Sequence, residues 1–239
     1  MTLSNLTPST ASHRTTGFLV SLLRLLLTVL LPILLVLTGV RLLMTPLWLQ
    51  IEYNRPGFPE DVYGFTREDR LAYAPAAVDY LLNDAGIQFL GDMTGPEGRP
   101  LYTERELQHM FDVKIVTQTA FVFLWVGAIA AALIAGLLAR QPATRPTLWR
   151  ALRDAGIITL AAIAAIVIGA VTAWNAFFTM FHNLFFAEGT WMFLYSDTLI
   201  RLFPEQFWFD SALVIGTLTA VVALALTVVG WRRLAASPT

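Results

Sequence analysis

The chain has 239 residues, 56% of them hydrophobic and only 14% charged, where a soluble domain carries about 25% charge. With a mean hydropathy of +0.62, this composition excludes an ordinary soluble domain. A net charge of −1 without a long basic run gives no nucleic-acid footprint, and the lack of cysteine excludes disulfides, thiol catalysis and cysteinyl metal sites. What remains is an integral membrane protein with one modest domain outside the bilayer.

Residues 1–17 read as a tail. Four apolar segments follow at 18–43, 113–138, 157–174 and 211–231, and a hydrocarbon core takes about 20 residues of helix to cross. The first carries Arg24 and Arg41 near its ends, where both can snorkel toward headgroups, and Pro32 is expected to kink it. It is long for a signal peptide and no small-residue cleavage site follows, so it reads as a retained anchor. Arginine placement sets the orientation. Arg14 and Arg24 stand at the first span, Arg140, Arg145, Arg150 and Arg153 fill the 139–156 loop, and Arg232 and Arg233 lie in the 232–239 tail. By contrast, residues 45–112 hold 12 acidic residues against 5 arginines. The positive-inside rule puts both termini and the arginine loop in the cytoplasm and segments 44–112 and 175–210 on the outer face. The arginine loop reads first as a topology signal and second as a contact for anionic lipid. The expected fold is an all-α polytopic membrane protein. It has four transmembrane helices, a small, mainly helical extracytoplasmic domain between spans one and two, and an interfacial aromatic loop between spans three and four.

The 44–112 segment opens with Trp48 and Tyr53, residues suited to an interface, and turns at Pro56, Gly57 and Pro59. Thr66 followed by acids predicts a helix N-terminus, and Leu71, Ala74, Val78 and Leu81 continue at helical spacing toward a stop at Gly86, with Pro75 a kink or a break. Residues 87–102 read as turns with a short hairpin. Thr103 and Glu106 form a capping box, and the helix they start flows into the second span without a breaker. Its first turns carry Arg105, His109, Asp112 and Lys114 and overshoot the hydrocarbon. The 175–210 loop is extremely aromatic yet holds His182, Asn183, Glu188, Asp197, Arg201 and Glu205. It is expected to lie along the membrane as short helices broken at Gly189 and Pro204.

Of three histidines, His13 sits in the tail, whereas His109 and His182 both fall at the predicted outer surface. Imidazole, with an unperturbed pKa of about 6.5, is the side chain suited to proton transfer near neutrality. Asp112 follows His109 by three residues, on the same helix face, where it can fix one tautomer. The alternative for His109 is an interfacial residue beside a salt bridge to Arg105 or Lys114, and for His182 an aromatic anchor. A zinc site of His109, Asp112 and His182 is a further reading, without an HExxH pattern to support it. Ser196 lies in no nucleophile motif. Arg201 and Arg70 suit a phosphate, a carboxylate or an oxyanion, with ordinary surface ion pairing as the alternative. Tyr53, Asp61, Tyr80 and Trp191 are candidate site-lining residues, although singly such residues are more often structural.

Several stretches together resemble one known family. They are Glu106-Leu107-Gln108-His109-Met110-Phe111-Asp112-Val113-Lys114, Phe181-His182-Asn183-Leu184-Phe185-Phe186 with Trp191 after it, and Asp197 through Glu205. Glu52-Tyr53, Gly64-Phe65-Thr66 and Arg70 fit as well. The chain resembles, over nearly its whole length, the lipoprotein intramolecular transacylases of Gram-positive bacteria and relatives. The resemblance implies movement of the sn-2 acyl chain of an S-diacylglyceryl cysteine to the α-amine of that cysteine, giving the lyso-form lipoprotein. It maps the family's two essential histidines onto His109 and His182, with Asp112 expected to orient His109 and His182 favoured as base. Arg201, Arg70, Tyr53, Trp191, Asn183 and Asp197 are the residues expected to bind substrate, with Arg201 or backbone amides holding the oxyanion. No cofactor and no metal is required. The partners are diacylated lipoproteins and membrane lipids in the bacterial cytoplasmic membrane, with the active site on the outer face. The competing classes are a non-enzymatic lipid-binding or accessory membrane protein and a metal-dependent membrane hydrolase.

Overall fold

The computed structural model describes residues 10–96, 98–187 and 189–236, with side chains from Gly17 onward apart from Ala170. The expectations for Glu188 and for part of both tails lie outside the described residues, and so do those for the side chains of His13 and Arg14. Among the described residues the regular elements are helices, in the order α1 Thr10–Leu43, α2 Pro46–Tyr53, α3 Arg67–Leu82, α4 Gln88–Gly91, α5 Glu104–Arg140, α6 Arg145–Thr172, α7 Trp174–Phe185, α8 Thr198–Leu202 and α9 Glu205–Ala235. An isolated antiparallel bridge joins Thr94 to Pro100, the remnant of the expected hairpin. Helices α1, α5, α6 and α9 contain stretches long and apolar enough to cross a membrane. Their exposed positions carry residues such as Leu25, Val126, Ile129, Leu133 and Val221, a surface made for lipid and not for water.

Local chemistry explains where the helices begin. The Thr66 hydroxyl accepts from the Asp69 N–H while the Asp69 carboxylate accepts from the Thr66 N–H, a reciprocal cap on α3. Thr103 and Glu106 repeat the arrangement at the start of α5. Pro32 and Pro75 are both accommodated inside unbroken helices. Helix α3 stops earlier than Gly86, at a C-cap on Asn83. Helix α2 was not expected from periodicity. Its start is nonetheless written locally, with Thr45 as N-cap and Pro46 at the first helical position.

The chain divides into two compact units. The first comprises residues 1–35, 126–162 and 220–239. It contains a seam where α6 meets α9: Gly156 lies against Ala223 and Thr227, Gly230 lies against Trp149 and Arg153, and Ala151 and Ala155 are fully buried. Small side chains let membrane helices approach backbone to backbone, where dispersion is strongest. The approach is so close that a Cβ on Gly156 would stand 2.4 Å from the Ala223 carbonyl oxygen and 2.3 Å from the Thr227 hydroxyl. The hydroxyls of Thr159 and Thr227 are satisfied by the carbonyls of Ala155 and Ala223, four residues back on their own helices. Arg24 adds an ion pair to Asp154 at 2.6 Å.

The second unit comprises residues 36–125 and 163–219. Its core gathers Leu49 and Tyr53 of α2, Ala74, Ala77 and Tyr80 of α3, Leu90 of α4, Met110 of α5, and Leu199, Leu202 and Phe203 of the α8 region. Thus the second half of the 175–210 segment does not lie apart as an interfacial loop. It folds into the domain built by 44–112. Local polarity hid this, because the tie is made by long-range polar partners. The Glu106 carboxylate accepts from the N–H of Leu199 at 2.7 Å, the Thr198 hydroxyl donates to the carbonyl of Leu101, and Tyr53 donates to the carbonyl of Leu202 at 2.8 Å. Helix α9 likewise begins at Glu205, six residues before the predicted span, and uses Asp210 and Ser211 to bind Arg55 and Trp48.

The seam gives a stability prediction. Gly156→Ala forces α6 and α9 apart and should cost about 1–3 kcal/mol, read as a lowered unfolding temperature in detergent. Gly136→Ala is the control. It has open space where the Cβ would go and should leave stability unchanged or slightly raised, since alanine is the better helix former.

Candidate functional site

His109 lies on α5, one turn beyond the Glu106 tie, and His182 lies in the last turn of α7. After α7 the chain extends through Phe186, then turns back at Gly189, whose φ of +83° is the left-handed region that glycine alone enters freely. The return lays Trp191 across His182, with ring centroids 4.7 Å apart, and the indole N–H donates to the Asn183 side-chain oxygen at 3.1 Å. Two residues on, Phe193 meets His109 edge-on at 5.2 Å. Phe186 completes the arrangement, with its ring centroid 5.0 Å from that of His109 and 6.0 Å from that of His182. The two histidines, from distant parts of the chain, therefore share one aromatic cage.

The cage acts on the imidazoles in two ways. The His182 Nδ1 lies 2.8 Å from the carbonyl of Phe178. A carbonyl only accepts, so Nδ1 carries the proton and Nε2 presents a bare lone pair, the form a general base needs. Burial among Phe178, Phe181 and Trp191 holds the His182 pKa below its ordinary value, only partly offset by the Phe178 carbonyl. The ring is therefore neutral at neutral pH. On His109, Nδ1 is buried and has no hydrogen-bond partner among the described residues. A buried polar atom without a partner is costly, commonly about 1–3 kcal/mol, and calls for a water, an ion or a reacting group to supply the bond.

The other predicted site residues fall into two groups. Trp191 and Asn183 belong to the cage. Asp112 stands one turn beyond His109, yet its carboxylate accepts from Gln108 at 3.1 Å and not from the orphaned Nδ1. Arg201 donates to Asp61 at 2.9 Å and to the carbonyl of Tyr63, with its guanidinium over the Phe65 ring. Burial works to raise the Asp61 pKa, but the N–H of Phe65 and the Arg201 guanidinium outweigh it and hold the carboxylate charged. Arg70 is buried and donates to the carbonyls of Arg201 and Pro59. Tyr53 and Tyr80 are core residues. Asp197 accepts from the N–H of Leu194 and precedes α8. Arg70, Arg201, Tyr53 and Asp197 are thus joined to the protein's own frame, which fixes the segment that follows the cage. Lys114 is likewise engaged, donating to the carbonyl of Ala85 at 2.6 Å and lying over Tyr80. Among the described residues no three His, Asp or Glu side chains gather as a metal would require.

Phe186 and Phe193, the walls shared with His109, were not singled out from the sequence. Phe186 carried a signal, standing four residues after His182, whereas Phe193 had none beyond general aromaticity. Alongside α7 runs an open apolar groove of about 1000 Å³, lined by residues including Ile166, Phe177, Met180 and Leu184 and bordered by Asn183.

These features define an integral membrane protein with four spans and a histidine pair in an aromatic cage. A family model for the lipoprotein intramolecular transacylase Lit matches residues 25–208, and the chain belongs to that family of acyltransferases. An uncharacterised protein of Aquifex aeolicus (strain VF5) is 29% identical over 209 residues, covering 87% of this chain and 93% of its own. Among solved structures, the in meso structure of Lit from Bacillus cereus superposes with a TM-score of 0.73 at 17% identity, covering 92% of this chain and 97% of that one. A variant of the same protein with one histidine changed to arginine gives 0.70 at 16% identity over 94% and 96%. At such identity the superposition shows the shared fold.

The cage predicts the titration of His182. Its midpoint, followed by NMR of histidine-labelled protein, should lie below about 6.5. Trp191→Ala opens the ring to water and should move the midpoint upward. A neutral ring serving as base would lose transfer activity as the pH drops through that midpoint and hold level above it.

Proposed function

We propose that the chain moves the sn-2 acyl group of an S-diacylglyceryl-cysteine lipoprotein onto the α-amine of the same cysteine. The product is an N-acyl, S-monoacylglyceryl lipoprotein, the lyso form. The observation that carries the reading is the pairing of His109 and His182 against Phe186. Proton transfer is the chemistry this reaction needs, and among the described residues of the cage the two imidazoles are the groups suited to it.

The neutral amine attacks the ester carbonyl through its lone pair, and His182 Nε2 takes the proton the nitrogen sheds as the C–N bond forms. The tetrahedral intermediate then expels the sn-2 oxygen, which receives that same proton passed on through His109, a ring that burial holds neutral with its pKa lowered to about 4. The net change is one acyl group and one proton exchanged between nitrogen and oxygen, and both rings end as they began. Donor and acceptor belong to one molecule, so no cofactor, nucleotide or second lipid is consumed. The protein's main task is orientation, and oriented intramolecular reactions reach effective molarities of about 10⁵ M or more. The groove beside α7 is apolar and open, suited to acyl chains entering sideways from the bilayer. The arginine distribution supports cytoplasmic termini and a site at the outer face of the cytoplasmic membrane, where lipoprotein headgroups lie.

The test is mass spectrometry of N-terminal lipopeptides from a bacterium that makes only diacylated lipoproteins, with and without this protein. The expected result is one acyl chain relocated to the cysteine nitrogen at unchanged total mass, lost in His109→Ala and in His182→Ala. An unchanged diacylglyceryl cysteine, despite expression in the membrane, would refute the reading in favour of a binding or accessory role.

A further inference from the structure

The tetrahedral intermediate carries a negative oxygen, and the arginine expected to hold it is otherwise engaged. Arg201 donates to Asp61 and Tyr63, and Arg70 to Pro59 and to Arg201 itself. Another cation stands at the cage. Arg105 precedes His109 by one helical turn on α5. Its guanidinium carbon lies 5.4 Å from the centroid of Phe193, the same ring that His109 meets at 5.2 Å. Arg105 is exposed, and its contact among the described residues is with this ring. The neighbouring Glu106 carboxylate, the obvious partner, is turned inward onto Thr103 and Leu199. A guanidinium with open N–H donors thus stands beside a histidine whose Nδ1 also lacks a partner. Both groups stand against the one Phe193 ring.

We propose that Arg105 is a catalytic residue that donates to the acyl carbonyl oxygen as it becomes an oxyanion. The inference rests on the transacylase reading above. In the step, the cysteine α-nitrogen forms a bond to the carbonyl carbon and the carbonyl π pair moves onto oxygen, where Arg105 N–H groups receive it. Collapse restores the carbonyl and breaks the bond to the glycerol sn-2 oxygen, which takes the proton the amine released. No co-reactant is needed. A donor aimed at charge that develops only in the transition state acts on kcat and leaves ground-state binding nearly unchanged.

The test uses the full-length protein in lipid nanodiscs with a synthetic S-diacylglyceryl-cysteine lipopeptide, following N-acyl product by mass spectrometry. Arg105→Gln should lower kcat by about 10²–10³-fold with KM within about threefold of wild type. Arg105→Lys should retain part of the rate, since a charge remains without the fork of donors. Added guanidinium at low millimolar concentration should restore part of the rate to Arg105→Ala and none to His109→Ala, a readout that a purely structural role would not move. A kcat for Arg105→Gln within threefold of wild type would overturn the proposal alone, and so would a loss confined to KM. A wild-type protein that forms no N-acyl product would instead overturn the transacylase reading and this inference with it.

Discussion

Glu106 is 1% exposed, and both of its oxygens are occupied. One accepts from the N–H and hydroxyl of Thr103, at 2.8 and 3.0 Å, and starts α5 where it does. The other accepts from the N–H of Leu199 at 2.7 Å and holds the segment that follows the cage. A carboxylate withdrawn from water is tolerated only when its lone pairs are filled this way. The consequence is geometric. The residue that sets the start of α5, and so the facing of His109, also anchors the chain that has just passed through His182, Trp191 and Phe193. The neighbouring ties made by Tyr53, Arg70 and Arg201 fasten the same segment from its other end. Their chemistry is that of a frame, which explains why residues of such reactive appearance point inward.

Within that frame the aromatic rings do more than fill space. They keep water from the imidazoles, which lowers the cost of holding His182 neutral, and the Phe178 carbonyl selects the tautomer with Nε2 free. Charge interactions are also stronger in such a dry setting. An oxyanion forming beside Phe186 and Phe193 would be poorly stabilised unless a donor stood ready, which gives an exposed cation at the rim of the cage a chemical purpose.

The parts of this account legible in the sequence were those written over short distances. Apolar runs marked the four long helices, and Thr66 with Asp69 and Thr103 with Glu106 marked two helix starts through reciprocal caps. Helix α2 was legible but unread, since Thr45-Pro46 is a start signal. What stayed hidden depends on partners remote in sequence. Nothing local says that Glu106 receives the N–H of Leu199, that Arg201 meets Asp61, or that Asp112 turns to Gln108 and leaves the His109 Nδ1 bare. The start of α9 was hidden for a related reason. Glu205 and Asp210 look like loop residues until Gln206 and Arg55 are seen to occupy Asp210.

The central claim is that His109 and His182 work as one acid and base pair on a single substrate, and residual transfer rates in single and double variants address it most directly. Each single alanine variant should lose about 10²–10⁴-fold, leaving a remainder measurable by long incubation and mass spectrometry. If the two act as a unit, His109→Ala combined with His182→Ala should be no slower than the slower single variant, because a broken pair has nothing further to lose. Losses that multiply in the double variant would mean that the two histidines contribute independently, and would contradict the account.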